Sequence, residues 1–205
     1  MPRVSEEHLA ARRRQILDAA LVCFSRHGFH QTAMHEIFEE SGLSPGAVYR
    51  YFKSKEEIVR AIASETVMGF AGAIQPGPQE EPLGPTEVLE RLFGAVEGVQ
   101  LRAERLRLAV QIWGEALHNP QIAGFLLEII DRLRGEITAD LRDAQERGAL
   151  DPDLDAEYAG RVLLAMAQGF VVQSTWYPEL DRARFREAAA GLLSQARTPP
   201  RLRDE

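Results

Sequence analysis

The sequence predicts an all-α protein in two parts, a short-helix N-terminal segment and a longer helical remainder. Three observations predict it. Apolar residues recur at helical spacing along nearly all of the 205 residues, with no alternating strand pattern. Gly, Ser, Thr and Pro fall where helices of that spacing would start and stop. One composition break, Gln75 to Pro85, holds four prolines and two glycines and reads as a linker.

The elements follow in order. Arg12 to His27 opens the series, with Ile16, Ala19, Ala20, Cys23 and Phe24 on one side and Gly28 as a stop. Thr32 is the expected N-cap of a second helix ending at Gly42. Ser44-Pro45 starts a third, Ser as cap and Pro in the first turn. Ser54-Lys55-Glu56-Glu57 reads as a capping box for a fourth, running to about Ile74. Beyond the linker, helical patterns cover Thr86 to Val99, Leu101 to Leu117, Pro120 to Arg147, Ala156 to Trp176 and Arg182 to Gln195. The tail from Thr198 is expected to fray. The predicted division is a domain over 1–56, a linking helix over 57–74, and a second domain over 75–205.

The totals fit an intracellular protein. Hydrophobic residues make up 45% and charged residues 27%. The apolar runs are too short to span a bilayer, and the N-terminus lacks an apolar signal region. No membrane association is expected, and a cytoplasmic location is. The single cysteine, Cys23, permits no internal disulfide. Net charge is −7, unpromising for nucleic acid, but it is unevenly distributed. Residues 1–60 carry 9 Lys/Arg against 8 Asp/Glu and four of the five histidines, whereas the remainder carries 15 against 23. A near-neutral first segment can present a local basic face.

The informative stretch is Thr32 to Glu57. Two helices too short to stand alone, joined by a tight turn containing Gly, form a helix-turn-helix. On a helical wheel Val48 and Phe52 share a face with Leu43 and point inward. The opposite face carries Gly46, Ala47 and Arg50, flanked by Tyr49 and Tyr51. A major groove accepts such a face. Arg50 can donate two hydrogen bonds to a guanine or one to a phosphate, Ala47 can touch a thymine methyl, and Gly46 lets the backbone come close. Tyrosine hydroxyls suit phosphate oxygens. Lys53 and Lys55 bracket the start of the fourth helix, where the macrodipole disfavours cations; a phosphate shared with the helix N–H groups would explain them, as would plain solvation. The predicted DNA-contacting residues are Thr32, Ser44, Pro45, Gly46, Ala47, Tyr49, Arg50, Tyr51, Lys53 and Lys55.

Gly28-Phe29, Thr32, Ile37, Gly42-Leu43-Ser44, Gly46, Val48-Tyr49, Tyr51-Phe52 and Ser54-Lys55-Glu56 together resemble the signature of the tetracycline-repressor (TetR) family. Ile16, Ala19-Ala20 and Phe24 resemble its first helix. The resemblance covers roughly residues 12 to 60. It implies a DNA-binding domain followed by a domain for ligand binding and dimerisation. Phe38 departs from the pattern, standing where the family usually has a small alanine. Pro45 and Tyr51 depart too, which leaves the operator sequence open.

The resemblance also implies a regulatory ligand site in the second domain, for a small apolar or amphipathic effector. Candidate lining residues are Phe70, Phe93, Trp113, Phe125, Met166, Phe170 and Trp176, with Gln111, Glu115 and Gln173 as placed polar groups. Plain core packing is the alternative for each. Ala159, Val162, Ala165, Met166 and Gly169 on one late helix, and Phe185, Ala188, Ala189 and Leu192 on the next, offer apolar stripes for a homodimer, or for the subunit's own core.

No catalytic constellation is expected. His35-Glu36 with Glu39 lacks the second histidine of a zinc-protease helix. Cys23 and His27 lie one turn apart, but the cysteine is on an apolar face. Asp151, Asp153 and Asp155 lack the glycine and distal glutamate of a calcium loop. Neither a cofactor nor a metal is called for. The expected function is a dimeric, ligand-responsive regulator, most simply a repressor, on double-stranded palindromic operator DNA. The competing reading is a helical binding dimer whose helix-turn-helix does not read DNA.

Overall fold

The computed structural model describes residues 6–74, 84–97 and 103–195, with side chains described throughout except at 66–74, 103 and 195. Among these residues there are helices and turns and no strand. The elements are α1 (Glu6–His27), α2 (Met34–Ser41), α3 (Pro45–Tyr49), α4 (Lys55–Ile74), α5 (Pro85–Glu97), α6 (Ala103–Glu115), α7 (Pro120–Glu146), α8 (Ala156–Trp176) and α9 (Arg182–Gln195). The predicted helices are all present, with shifted ends. α1 starts six residues before Arg12. Its added residues, Glu6 to Ala11, are exposed and so leave no apolar period to read; Glu6 and Glu7 suit the positive end of the helix. Most of the linker, 75–83, and the tail after Gln195 lie outside the described residues.

Packing divides the chain into two compact units, Met1–Met68 with Gln100–Ile129, and Gly69–Val99 with Ile130–Glu205. The sequence assigns everything after residue 75 to a second domain. Instead α6 and the start of α7 complete the core of the first unit. The reason is apolar area: Leu108 and Ile112 of α6 and Ile122 of α7 are buried among Ile16, Ala20, Phe24, Ile37, Val48 and Ile58. Each such side chain contributes roughly 1.5–3 kcal/mol by leaving water. α4 and α7 each pass through both units.

In the second unit Val88, Leu89, Leu92 and Phe93 of α5 are buried, as are Ile137 and Leu141 of α7 and Leu163, Leu164, Ala167 and Phe170 of α8. The rings of Phe93, Phe170 and Phe185 form a closed trio, with centroids 4.6, 5.1 and 5.8 Å apart. Arg186 of α9 joins Glu97 of α5 at 3.0 Å. Between α7 and α8 two of the three alternating aspartates accept backbone N–H groups. Asp155 caps α8 by accepting the Glu157 and Tyr158 N–H groups at 3.0 and 3.2 Å, and Asp151 accepts the N–H of Asp153 at 2.9 Å. Gln145 fastens this turn by donating to the Asp151 and Leu154 carbonyls, both at 2.8 Å.

Candidate nucleic-acid interface

The helix-turn-helix is positioned from the α1 side. Gly28 ends α1 with φ of 82°, a conformation costly for any residue with a Cβ. The loop that follows is held by three side chains. Thr32, which the sequence offers as a DNA contact and as the α2 cap, is 1% exposed. Its hydroxyl lies 2.8 Å from the Gly28 carbonyl and 3.3 Å from that of Cys23. It ties the loop down and cannot reach DNA. The α2 N-cap is therefore Ala33, whose N–H donates to the Glu36 carboxylate at 2.7 Å.

Gln111 of α6 is the second tie. Its amide oxygen accepts the Phe29 N–H at 3.0 Å, and its amide nitrogen donates to the Phe24 carbonyl at 3.4 Å. A residue expected to face a ligand is thus spent on the end of α1. Lys55 is the third. Its ammonium donates to the carbonyls of Phe29, His30 and Thr32 at 2.9, 2.9 and 3.2 Å, 4.7 Å above the Phe29 ring. That resolves the oddity of a cation at the first residue of α4: its charge is carried away to three carbonyls. All three N–H donors are used, so the phosphate contact expected of Lys55 is displaced.

Gly42, in the left-handed conformation with φ of 65°, ends α2. Its N–H is taken by the Glu39 carbonyl and that of Leu43 by the Phe38 carbonyl. Gln15 of α1 donates to the Ser41 carbonyl at 2.7 Å, and Arg26 pairs with Glu40 at 2.8 Å. Sequence periodicity carries no sign of these two ties. Ser44 caps α3, accepting the Ala47 N–H at 3.3 Å. α3 is shorter than expected, closing at Tyr49; the N–H groups of Tyr51 and Phe52 both turn back to the Val48 carbonyl. The predicted facing survives this. Val48 and Phe52 are buried, while Pro45, Gly46, Tyr49 and Arg50 are exposed and Ala47 is half-exposed. Tyr51 differs, lying half-buried against the core. Among the described residues the Arg50 guanidinium has no partner. Lys53 donates to the Tyr49 carbonyl at 2.5 Å, which leaves two of its three donors open. The capping box at α4 is offset by one residue: Ser54 accepts the Glu57 N–H, while the Glu57 carboxylate takes the N–H of Lys53 at 2.6 Å.

The start of α2 is sensitive to acid. Glu36 accepts the Ala33 N–H and lies 2.7 Å from His27 Nδ1. The backbone bond first, then the histidine, holds its carboxyl below the ordinary 4.5. A carboxyl lowered by folding stabilises the fold above its ordinary value, and that contribution is lost as pH falls through the lowered one. Glu36→Gln should therefore melt below wild type at pH 7, and the gap between the two melting temperatures should narrow as pH falls below 4.5 through the lowered value. A gap that does not narrow in acid, measured in thermal unfolding by circular dichroism, would assign the effect to something other than this charge.

The residues proposed for a ligand are divided between the two units. Gln111, Trp113, Glu115 and Phe125 belong to the first unit, and Phe93, Met166, Phe170, Gln173 and Trp176 to the second. The Phe70 side chain lies outside the described residues. Glu115 is 3.8 Å from His30 Nδ1, and Phe125 lies under the Arg60 guanidinium at 5.2 Å. Phe93 and Phe170 are packed on one another, whereas Trp176 is 64% exposed. Cys23 is buried, and burial first of all pushes its thiol up, away from the reactive thiolate.

A braced helix-turn-helix with its apolar face inward and an arginine outward that is unpaired among the described residues is the arrangement expected of a helical regulator that reads DNA. The chain belongs to the TetR family of bacterial transcriptional regulators. The family model for "Bacterial regulatory proteins, tetR family" matches residues 16–62, and that for "BetI-type transcriptional repressor, C-terminal" matches residues 70–198. The chain is 30% identical to the HTH-type transcriptional regulator TtgR of Pseudomonas putida, covering 83% of each. It is 29% identical to the regulator UidR of Escherichia coli K12, over 77% of this chain and 78% of that one. Salmonella enterica GusR has the same fold, with a TM-score of 0.76, 28% identity, and coverage of 94% of this chain and all of the other. The two family matches meet within α4, between residues 62 and 70, whereas the packing also draws α6 and the start of α7 into the first unit.

Proposed function

We propose that the protein is a homodimeric repressor of a palindromic operator, released by a small, largely apolar molecule bound in its C-terminal region. One observation carries the reading: Val48 and Phe52 are buried while Gly46 and Arg50 stand outside, so Pro45 to Phe52 has the facing that a major groove requires. The dimer is supported by an apolar outer face. On α8, Tyr158, Val162 and Trp176 are exposed, with Ala165 and Gly169 between them at helical spacing; on α9, Ala188 and Leu192 are exposed. Phe185 and Ala189 turn into the subunit's own core instead. Val162 and Leu192 are 55% and 69% exposed, large for branched apolar residues that no partner covers.

Ligand binding need shift operator affinity by only about 1.4 kcal/mol for a ten-fold effect. α4 joins the two units, and so does α7, while α6 grips the end of α1 through Gln111. The effector's influence therefore has more than the fourth helix to act through.

Selection of genomic fragments on the purified protein tests the reading. Enrichment of one palindrome supports it; recovery without a shared sequence refutes it. Val162→Asp combined with Leu192→Asp should yield monomers in sedimentation, with operator affinity lower by about 100-fold or more, because the second half-site is no longer tethered. A dimer that persists would place the interface elsewhere.

A further inference from the structure

Phe38 departs from the pattern that the chain otherwise resembles, and its ring has a definite neighbour. It lies half-buried on α2, packed against the first unit's core. Its ring meets that of Tyr49 edge to face, with centroids 5.3 Å apart and planes at 67°. Tyr49 is the last residue of α3 and is 41% exposed. A helix of five residues cannot fix its own side chains by propensity or length. Val48 and Phe52 anchor its inner face, and Lys53 holds the Tyr49 carbonyl. The tyrosine ring is steadied by Phe38. An alanine at 38 would reach no farther than its Cβ and would leave that ring without this contact.

We propose that Phe38 is a positioning residue for DNA recognition: it holds Tyr49 in one orientation at the protein–DNA boundary and thereby narrows the set of operators the protein accepts. The inference rests on the reading that Tyr49 faces DNA. An aromatic edge-to-face pair restricts the tyrosine about its Cα–Cβ and Cβ–Cγ bonds before DNA arrives. Less freedom is then lost on binding, and a hydroxyl held in one place meets one phosphate or base position rather than several. Phe38 itself touches no DNA and acts only through its neighbour.

A double-mutant cycle on the full-length protein tests this, using the palindrome recovered by selection and a scrambled duplex of equal length. Phe38→Ala should weaken binding to the palindrome by about five-fold or more, since the dimer loses the aromatic pair in both half-sites. Binding to the scrambled duplex should change less than two-fold. Repeating the selection with Phe38→Ala should give a broader base preference at specific positions of each half-site. In a Tyr49→Ala background, Phe38→Ala should cost less than two-fold more, because the ring it steadies is gone. Phe38→Leu, which keeps bulk without the aromatic edge, separates orientation from packing: it should retain the melting temperature while still broadening the preference. If Tyr49→Ala weakens the palindrome complex and Phe38→Ala adds an independent loss, the positioning role fails alone. If Tyr49→Ala leaves binding intact, the placement of Tyr49 at the DNA fails and the role of Phe38 fails with it.

Discussion

Replacing Arg50 with alanine should abolish most operator-specific affinity while leaving the dimer and its melting temperature unchanged. The guanidinium is exposed at the end of α3 and, among the described residues, bonded to nothing. Its loss therefore leaves no buried group unsatisfied and opens no cavity. On DNA it has five donors to offer, and a bidentate bond to a guanine edge is worth about 1–3 kcal/mol. A dimer uses it twice, so the two losses together amount to about 2–6 kcal/mol, or thirty-fold at the least. Arg50→Lys should recover charge but not discrimination, since an ammonium cannot form the paired bonds. Fluorescence anisotropy against the selected palindrome and a scrambled duplex distinguishes the cases. Equal losses on both would make Arg50 a phosphate contact; unchanged binding on both would remove it from the interface.

Lys55→Ala should act on stability rather than on DNA. Charge placement alone allows a phosphate contact as well as plain solvation, and the contact would make the loss of Lys55 flatten the salt dependence by about one unit for each subunit. The geometry predicts otherwise. The ammonium already serves three loop carbonyls and the face of Phe29. Removing it leaves those carbonyls to water and frees the loop between α1 and α2. Bonds from a charged donor contribute about 1.5–3 kcal/mol apiece but do not add, so a loss of about 2–4 kcal/mol is expected. Chemical denaturation measures that loss. The salt slope of operator binding, taken where the variant is folded, should match the wild type to within about half a unit. A flatter slope with unaltered stability would return Lys55 to the phosphates.

Helices were legible because their apolar spacing and caps are local. Val48 and Phe52 went inward and Arg50 outward as the wheel requires. What could not be read were contacts between residues far apart in sequence. Gln111 meets Phe29 across 82 positions, and a lone glutamine on an apolar helix looks the same whether it meets a ligand or a backbone amide. Thr32 matched a motif, yet a threonine that caps, contacts DNA or closes a loop is one letter in each case. The position of Phe38 was marked by its size, but only the folded chain pairs it with Tyr49. The stripe on α9 mixed two destinations, Phe185 inward and Leu192 outward, because a helix at an edge serves both its own subunit and whatever covers it.

The core of the first unit also sets a timetable for synthesis. Residues 16 to 62 hold the whole helix-turn-helix, but Leu108, Ile112 and Ile122 fill part of the core they enclose, and Gln111 secures the end of α1. A nascent chain that has just delivered α4 from the ribosome must wait for about fifty more residues, to Ile122, before that core can close. At about 5–20 residues per second this is several seconds. During that interval Ile16, Phe24 and Ile58 have part of their apolar cover missing, exposed to other nascent chains on the same message. The helix-turn-helix is thus synthesised before part of the core that supports it, and its packing is completed only once α6 and the start of α7 have followed.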